Sequence, residues 1–293
     1  MNLRNPYWAR KKIAQLDAEL NAQQIAHLAF EVRYGTKLFT HSIFSVAFAR
    51  QAAVPSIAKV LYRGGKGSII TNTRKRNNDT LLFFGEFYKH GDSEQGKEAI
   101  DLLNFIHSHF NITNEENLYT LATIVCEPKR MGFFLANKNL FSQKEFRALY
   151  NFWKCICERM NIEQIPENED KMYNWFLDFE QKNYQYSDEG RRIVEALADE
   201  FAERWYPASM KFQGTQYFYS LFDNHLLSTF QIPKPNAYYR YSVKLFMWLK
   251  LRVFLPLLPD PDDRNVIDYF KEDYLPDYHI RKVGPFPAQT TTS

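Results

Sequence analysis

The stretch AIDLLNFIHSHF, residues 99–110, sets Ile100, Leu103, His107 and Phe110 at i, i+3, i+7 and i+10. That spacing follows one face of a helix, so the segment reads as amphipathic, with an imidazole on its apolar stripe. A buried polar group without a partner costs roughly 1–3 kcal/mol, so a histidine placed there needs something to bind. Upstream, RKRNNDT at residues 74–80 puts Arg76 and Thr80 one helical turn apart. They share the face that continues through Phe83, Phe84 and Phe87. Two inward polar positions on one helix and an inward histidine on the next imply a buried site between helices.

Working outward, helix signals run from end to end and strand-like alternation is scarce, so the expected class is all-α. Helices are predicted over 20–28 and 35–52, the latter closing before Pro55. Ser56 is expected to cap a short helix that ends at Gly64-Gly65. Residues 66–72 read as a loop or short extended piece. A helix over 75–88 stops at His90-Gly91. The His107 helix then starts at Asp92-Ser93 and ends at Asn111. Thr113-x-x-Glu116 and Ser142-x-x-Glu145 are capping boxes. The first opens a helix expected to stop before Pro128. Further helices are predicted over 169–183, 188–205, 215–230 and 238–255. With no internal repeat and no low-complexity linker, residues 1–293 read as one domain. Its core spans about 16–256, and a Pro- and Asp-rich tail, 257–293, wraps the surface.

The chain is long enough to bury a sizeable core, and 25 Phe and 18 Tyr in 293 residues supply either ordinary helix packing or an apolar cavity. A net charge of +3, without a sustained basic tract, argues against nucleic acid. Cys126, Cys155 and Cys157 are an odd set that does not read as a disulfide framework, which points to a reducing compartment. The start, Met1 to Pro6, has no signal-peptide core, so a cytoplasmic location is expected. Residues 238–258 look membrane-like, but Arg240, Lys244, Lys250 and Arg252 disfavour a spanning helix. A packed C-terminal helix and a basic amphipathic helix lying on a membrane surface are the two readings, so peripheral membrane contact stays open.

A histidine on an apolar face can bond a carbonyl, act as a base, or bind a metal. Zinc is poorly supported, because His107 and His109 on a helix point about 200° apart. No HExxH, Cys/His quartet or G-x-S-x-G occurs. Haem asks less of the protein, since one axial imidazole and a flat apolar slot suffice. Without C-x-x-C-H it would be held non-covalently, as haem b. Arg76 and Thr80 could then serve the oxygen chemistry, with Arg76 a permanent cation.

Taken in order, several segments resemble a known family. They are Leu16-Asp17-Ala18-Glu19, Val54-Pro55-Ser56-Ile57, Arg76-x-x-Asp79-Thr80, Ala99-Ile100 through Ile106-His107, and Leu118-Tyr119-Thr120-Leu121. Glu127-Pro128-x-Arg130, Glu145 with Phe152-Trp153, and Met160-Asn161-Ile162 through Ile165-Pro166 continue the likeness. Together they are similar to the catalytic domain of MpaB-type oxygenases and latex-clearing rubber oxygenases, over roughly Leu16 to Pro256. No single motif is very specific; the order and spacing carry the likeness. The resemblance implies a globin-like helical core around haem b. His107 would be the proximal iron ligand, with Arg76 and Thr80 on the distal, catalytic side. It also implies cleavage of isoprenoid double bonds by dioxygen, hence a lipophilic small-molecule substrate.

Two departures stand out. Rubber-cleaving members carry a lysine just before the threonine, where this chain has Asp79. They also carry an acidic residue upstream of the arginine, where Ala58-Lys59-Val60-Leu61 offers none. Both weigh against polymer cleavage and place the chain nearer the MpaB branch. The expected function is a haem b-dependent oxygenase. The alternative is a helical protein that binds haem or an apolar ligand without turnover, and a cofactor-free scaffold is the plainest case. His225 is the reserve candidate for the proximal ligand, and His90, His109 or His225 for a sixth ligand.

Overall fold

Residues 37–52, KLFTHSIFSVAFARQA, carry apolar groups all round, and such a helix belongs in the middle of a structure. In the computed structural model, which describes residues 6–284, that helix is central: every residue from Phe39 to Ala52 is buried. The chain is all-helical, as the periodicity predicts, with no strand among the described residues. In chain order the helices are α1 (Trp8–Gln15) and α2 (Ala22–Ala26), the second running on as a π-helical segment, His27–Tyr34. The central α3 (Lys37–Ala52) follows, then α4 (Pro55–Tyr62), α5 (Ser68–Thr71), α6 (Thr73–His90) and α7 (Glu94–His107). Next come α8 (Asn114–Ala136), α9 (Gln143–Arg159), α10 (Glu169–Asn183), α11 (Asp188–Trp205), α12 (Lys211–Ser220) and α13 (Asn224–Thr229). The last are α14 (Ala237–Leu249), a second π-helical segment (Lys250–Phe254), and the short α15 (Leu255–Leu257) and α16 (Ile267–Phe270). One apolar cluster reaches from Ala9 to Val283.

Both capping boxes form, each with the reciprocal pair of hydrogen bonds, at Thr113/Glu116 and Ser142/Glu145. Ser93 caps α7 and Asn72 caps α6. Other boundaries differ from the sequence reading. Val54, not Ser56, precedes α4, because Pro55 at the first helical position has no N–H to leave unpaired. Residues 68–71 form a helical turn in place of the expected loop, burying Ile69. The α7 helix ends at His107, four residues before Asn111. The α8 helix runs through Pro128 to Ala136; burial of Met131, Leu135 and Ala136 beyond the proline outweighs the lost hydrogen bond. The helix predicted over 215–230 is two, because Asp223 leaves the helix to cap α13 at Leu226 N.

Asp223 also explains what clamps the centre. Its Oδ2 lies 2.6 Å from Arg50 Nη2 on α3. Arg50 Nε pairs with Glu127 on α8, and Arg130 of α8 grips Glu180 of α10 through two bonds of 2.5 and 2.7 Å. Tyr119 and Tyr184 donate to the same Glu180 carboxylate. The Glu-Pro-x-Arg motif thus ties α3, α8, α10 and α13 together from inside.

The tail does more than wrap the surface. Residues up to 284 insert Val266, Ile267, Phe270, Ile280 and Val283 into the core; residues 285–293, like Met1–Asn5, lie outside the described part. Buried Glu31 accepts from Val266 N at 2.7 Å and from Asn265 Nδ2 at 3.1 Å, and Asp260 pairs with Arg10 at 2.8 Å. Gly85 permits the close approach, since a Cβ there would sit 2.7 Å from Ile267 Cγ1. A mostly polar sequence hid these scattered anchors.

The central clamp gives a direct test. Arg50→Met should leave Glu127, Glu180 and Asp223 with one cation among them, Arg130, at a cost of about 3–5 kcal/mol. Urea denaturation measures it; a loss below about 1 kcal/mol would mean the cluster is not a unit.

Candidate functional site

The apolar stripe of α7 and the 76/80/83/84 face of α6 meet across a cavity of about 380 Å³. Walls also come from α3, α4, α5 and α8, and from Gly284 at the end of the described tail. Phe44, Phe48, Phe83, Phe84 and Phe110 supply aromatic lining. The volume falls within the usual range for small-molecule sites, and the walls have their composition: apolar, with a few convergent polar groups. His107, Arg76 and Thr80 all line it, so the structure brings together the three residues singled out from sequence.

His107 sits on the last turn of α7, its ring largely enclosed. Its Nδ1 is buried and has no hydrogen-bond partner. The carbonyl-bonded core histidine is therefore not what this geometry presents at Nδ1. Burial, with a smaller push from the Arg76 charge, drives its pKa down to about 4, so the ring is neutral at pH 7 and keeps a lone pair to offer.

Arg76 is enclosed by the same walls. Thr80 Oγ1 donates to the Arg76 carbonyl at 3.0 Å and accepts from Arg76 Nη1, fixing the guanidinium one turn along α6. The guanidinium also lies 5.5 Å from the centre of the Phe48 ring. Desolvation lowers its pKa, yet an arginine stays charged in any such setting. Neighbouring Asp79 does not pair with it. That carboxylate is taken by Lys75 Nζ at 2.9 Å and by the Tyr274 hydroxyl from the tail. The cation in the cavity thus lacks a salt-bridge partner among the described residues.

Other polar groups escaped the sequence reading. His41 of α3 lines the cavity and is wholly buried; its Nε2 lies 3.0 Å from Glu200, and its Nδ1 accepts from Trp205 Nε1 at 3.1 Å. Burial lowers its pKa against the opposing pull of Glu200, and the Trp205 N–H occupies Nδ1, while His41 and Arg204 hold Glu200 down at about 2. A signal existed, since His41, Phe44 and Phe48 repeat the i, i+3, i+7 pattern that marked His107. Arg63 and Lys66 are exposed at the cavity's edge, on a turn where Arg63, Gly64 and Gly65 have φ of 52°, 62° and 85°. The reserve histidines lie elsewhere. His225 is exposed beside the Tyr184 ring, His90 faces Glu86 at 3.4 Å, and exposed His109 bonds the Phe105 carbonyl. The α4 residues on the wall, Ile57, Val60 and Leu61, are all apolar, so the upstream carboxylate is missing in space as in sequence.

Among the described residues, no three His, Cys, Asp or Glu side chains converge as a metal site, and the three cysteines are free. No protein-family model matches the chain, and no curated protein matches it.

The His107 environment fixes a pH dependence. In the unfolded chain the ring protonates near its ordinary pKa of about 6.5; in the fold it resists until about 4. Its contribution to stability is therefore intact above about 6.5 and lost as pH falls from 6.5 to 4, by roughly 2–3 kcal/mol. Urea titrations of the ligand-free protein should show a flatter acid limb for His107→Phe than for wild type. Parallel limbs would mean the ring is not held neutral.

Proposed function

We propose that the cavity binds haem b and that the protein is a haem-dependent oxygenase of lipophilic, isoprenoid-like molecules, related to the MpaB-type and rubber oxygenases. The observation that carries this reading is two polar groups in one apolar cavity: the neutral His107 ring, orphaned at Nδ1, and the Arg76 cation, bonded to Thr80 but to no carboxylate among the described residues. A porphyrin iron needs a single protein ligand, so His107 would suffice where the described residues form no three-residue metal cluster. The globin-like arrangement that the resemblance implies belongs to the same proposal.

When bound, haem b supplies the activation of dioxygen. The chain's own residues do the rest. His107 would hold the iron, since burial keeps its ring neutral and its lone pair available down to acid pH. Arg76 would present N–H donors fixed by Thr80 and a positive charge to whatever anionic oxygen chemistry the bound group supplied. Thr80 holds Arg76 in place. The phenylalanines of α3 and α6 exclude water and accept an apolar substrate. Arg63 and Lys66, at the edge, suit the carboxylates of a porphyrin.

A second reading, ligand binding without turnover, is favoured by one observation: the apolar α4 wall offers no free carboxylate base. Asp79 and Glu116 do line the cavity, but the first is engaged by Lys75 and Tyr274 and the second by its capping box. Haem-loaded protein given dioxygen, a reductant and short isoprenoids separates the two, since the oxygenase yields aldehydes or ketones. Arg76→Ala should retain haem and slow product formation about 10–1000-fold. Haem loss from that variant would give Arg76 a holding role, and haem-loaded wild type without products would leave the binding reading.

A further inference from the structure

The C-terminal helix has two faces, and one has no partner. Met247 and Leu251 are buried, and Arg240 and Lys244 lie over the Phe134 ring of α8, so α14 is packed on that side as a C-terminal helix should be. On the other side Tyr238, Tyr241, Leu245 and Trp248 follow at i, i+3, i+7 and i+10, 68, 71, 59 and 45% exposed. Phe254, Leu257 and Leu258 add exposed apolar side chains over the next turns. Monomer surfaces carry scattered apolar residues, but a periodic run of aromatics and leucines along one helix is a docking surface.

Charge selects the occupant. Between Asp223 and Asp260 the chain carries Lys234, Arg240, Lys244, Lys250 and Arg252, and no Asp or Glu. The bordering acids are themselves engaged, Asp223 by Arg50 and Asp260 by Arg10. Lys234 and Arg252 are exposed, while Arg240 and Lys244 are half-buried on the packed side and Lys250 turns inward to the Tyr34 carbonyl. A second copy on this face would bring like charges together. An anionic bilayer offers the complement: headgroups for the cations, a level where Tyr and Trp settle, and acyl chains for Leu and Phe.

We propose that α14 and the turns after it, residues 238–258, seat the protein on an anionic membrane surface, lying in the headgroup plane and not crossing. No helix among the described residues is long and apolar enough to cross. This inference is independent of what fills the cavity.

The test is co-sedimentation of the full chain with vesicles of phosphatidylcholine alone or doped with phosphatidylglycerol. Wild type should bind the anionic vesicles about 10-fold tighter or more, with the preference shrinking in Lys234→Gln/Arg252→Gln and at high salt. Leu245→Gln/Trp248→Gln, at exposed positions, should lose binding about 10-fold or more while melting like wild type. Tyr241→Ser/Leu257→Ser probes two further exposed apolar positions of the same segment should that variant misfold. Absence of vesicle binding, or binding indifferent to both apolar pairs, would overturn the proposal. So would a concentration-dependent dimer that the same substitutions abolish, since the face would then belong to a second copy.

Discussion

A guanidinium and an imidazole share one apolar cavity, and the described residues give neither of them an ionic partner. Removing a charged group from water without compensation costs several kcal/mol, and an unsatisfied imidazole nitrogen adds roughly 1–3 kcal/mol. A sequence selected for stability alone would fill positions 76 and 107 with aliphatic side chains. The carboxylates on and against α6 are assigned elsewhere: Asp79 to Lys75 and Tyr274, Glu200 to His41 and Arg204. The rest of the molecule is arranged so that this tension persists.

What sustains it is rigid wall construction. The Arg50 cluster fixes α3 against α8, α10 and α13, and α3 is also the wall that carries His41, Phe44 and Phe48. The tail is sewn into the core by Glu31 and packed against Gly85, so that Gly284 reaches the cavity and Tyr274 engages Asp79. Residues far apart in the chain thereby decide which way Asp79 points, and so whether Arg76 stays unpaired. Such long-range constraint is what keeps polar groups preorganised.

Periodicity made the helical class legible, together with α6 and α7, the capping boxes, and the convergence of Arg76, Thr80 and His107. Each of these is a local signal, one turn or one cap long. Less legible were features decided by distant contacts. Pro128 reads as a helix stop, and only burial beyond it keeps α8 whole. Asp223 reads as one polar residue within a helix, and its break makes sense once Arg50 is opposite. The tail's anchors are single apolar residues in a polar run, and a backbone N–H bonded to Glu31 leaves no trace in sequence. His41 carried the same stripe pattern as His107; its partners Glu200 and Trp205 lie more than 150 residues away.

Titrating haemin into the purified ligand-free protein, and into His107→Ala, while following visible absorption tests the central claim most directly. The account predicts a saturable, one-to-one change with a Soret band near 400–420 nm in the wild type, absent from the variant. A wild-type titration that reproduces the spectrum of free haemin throughout would contradict it.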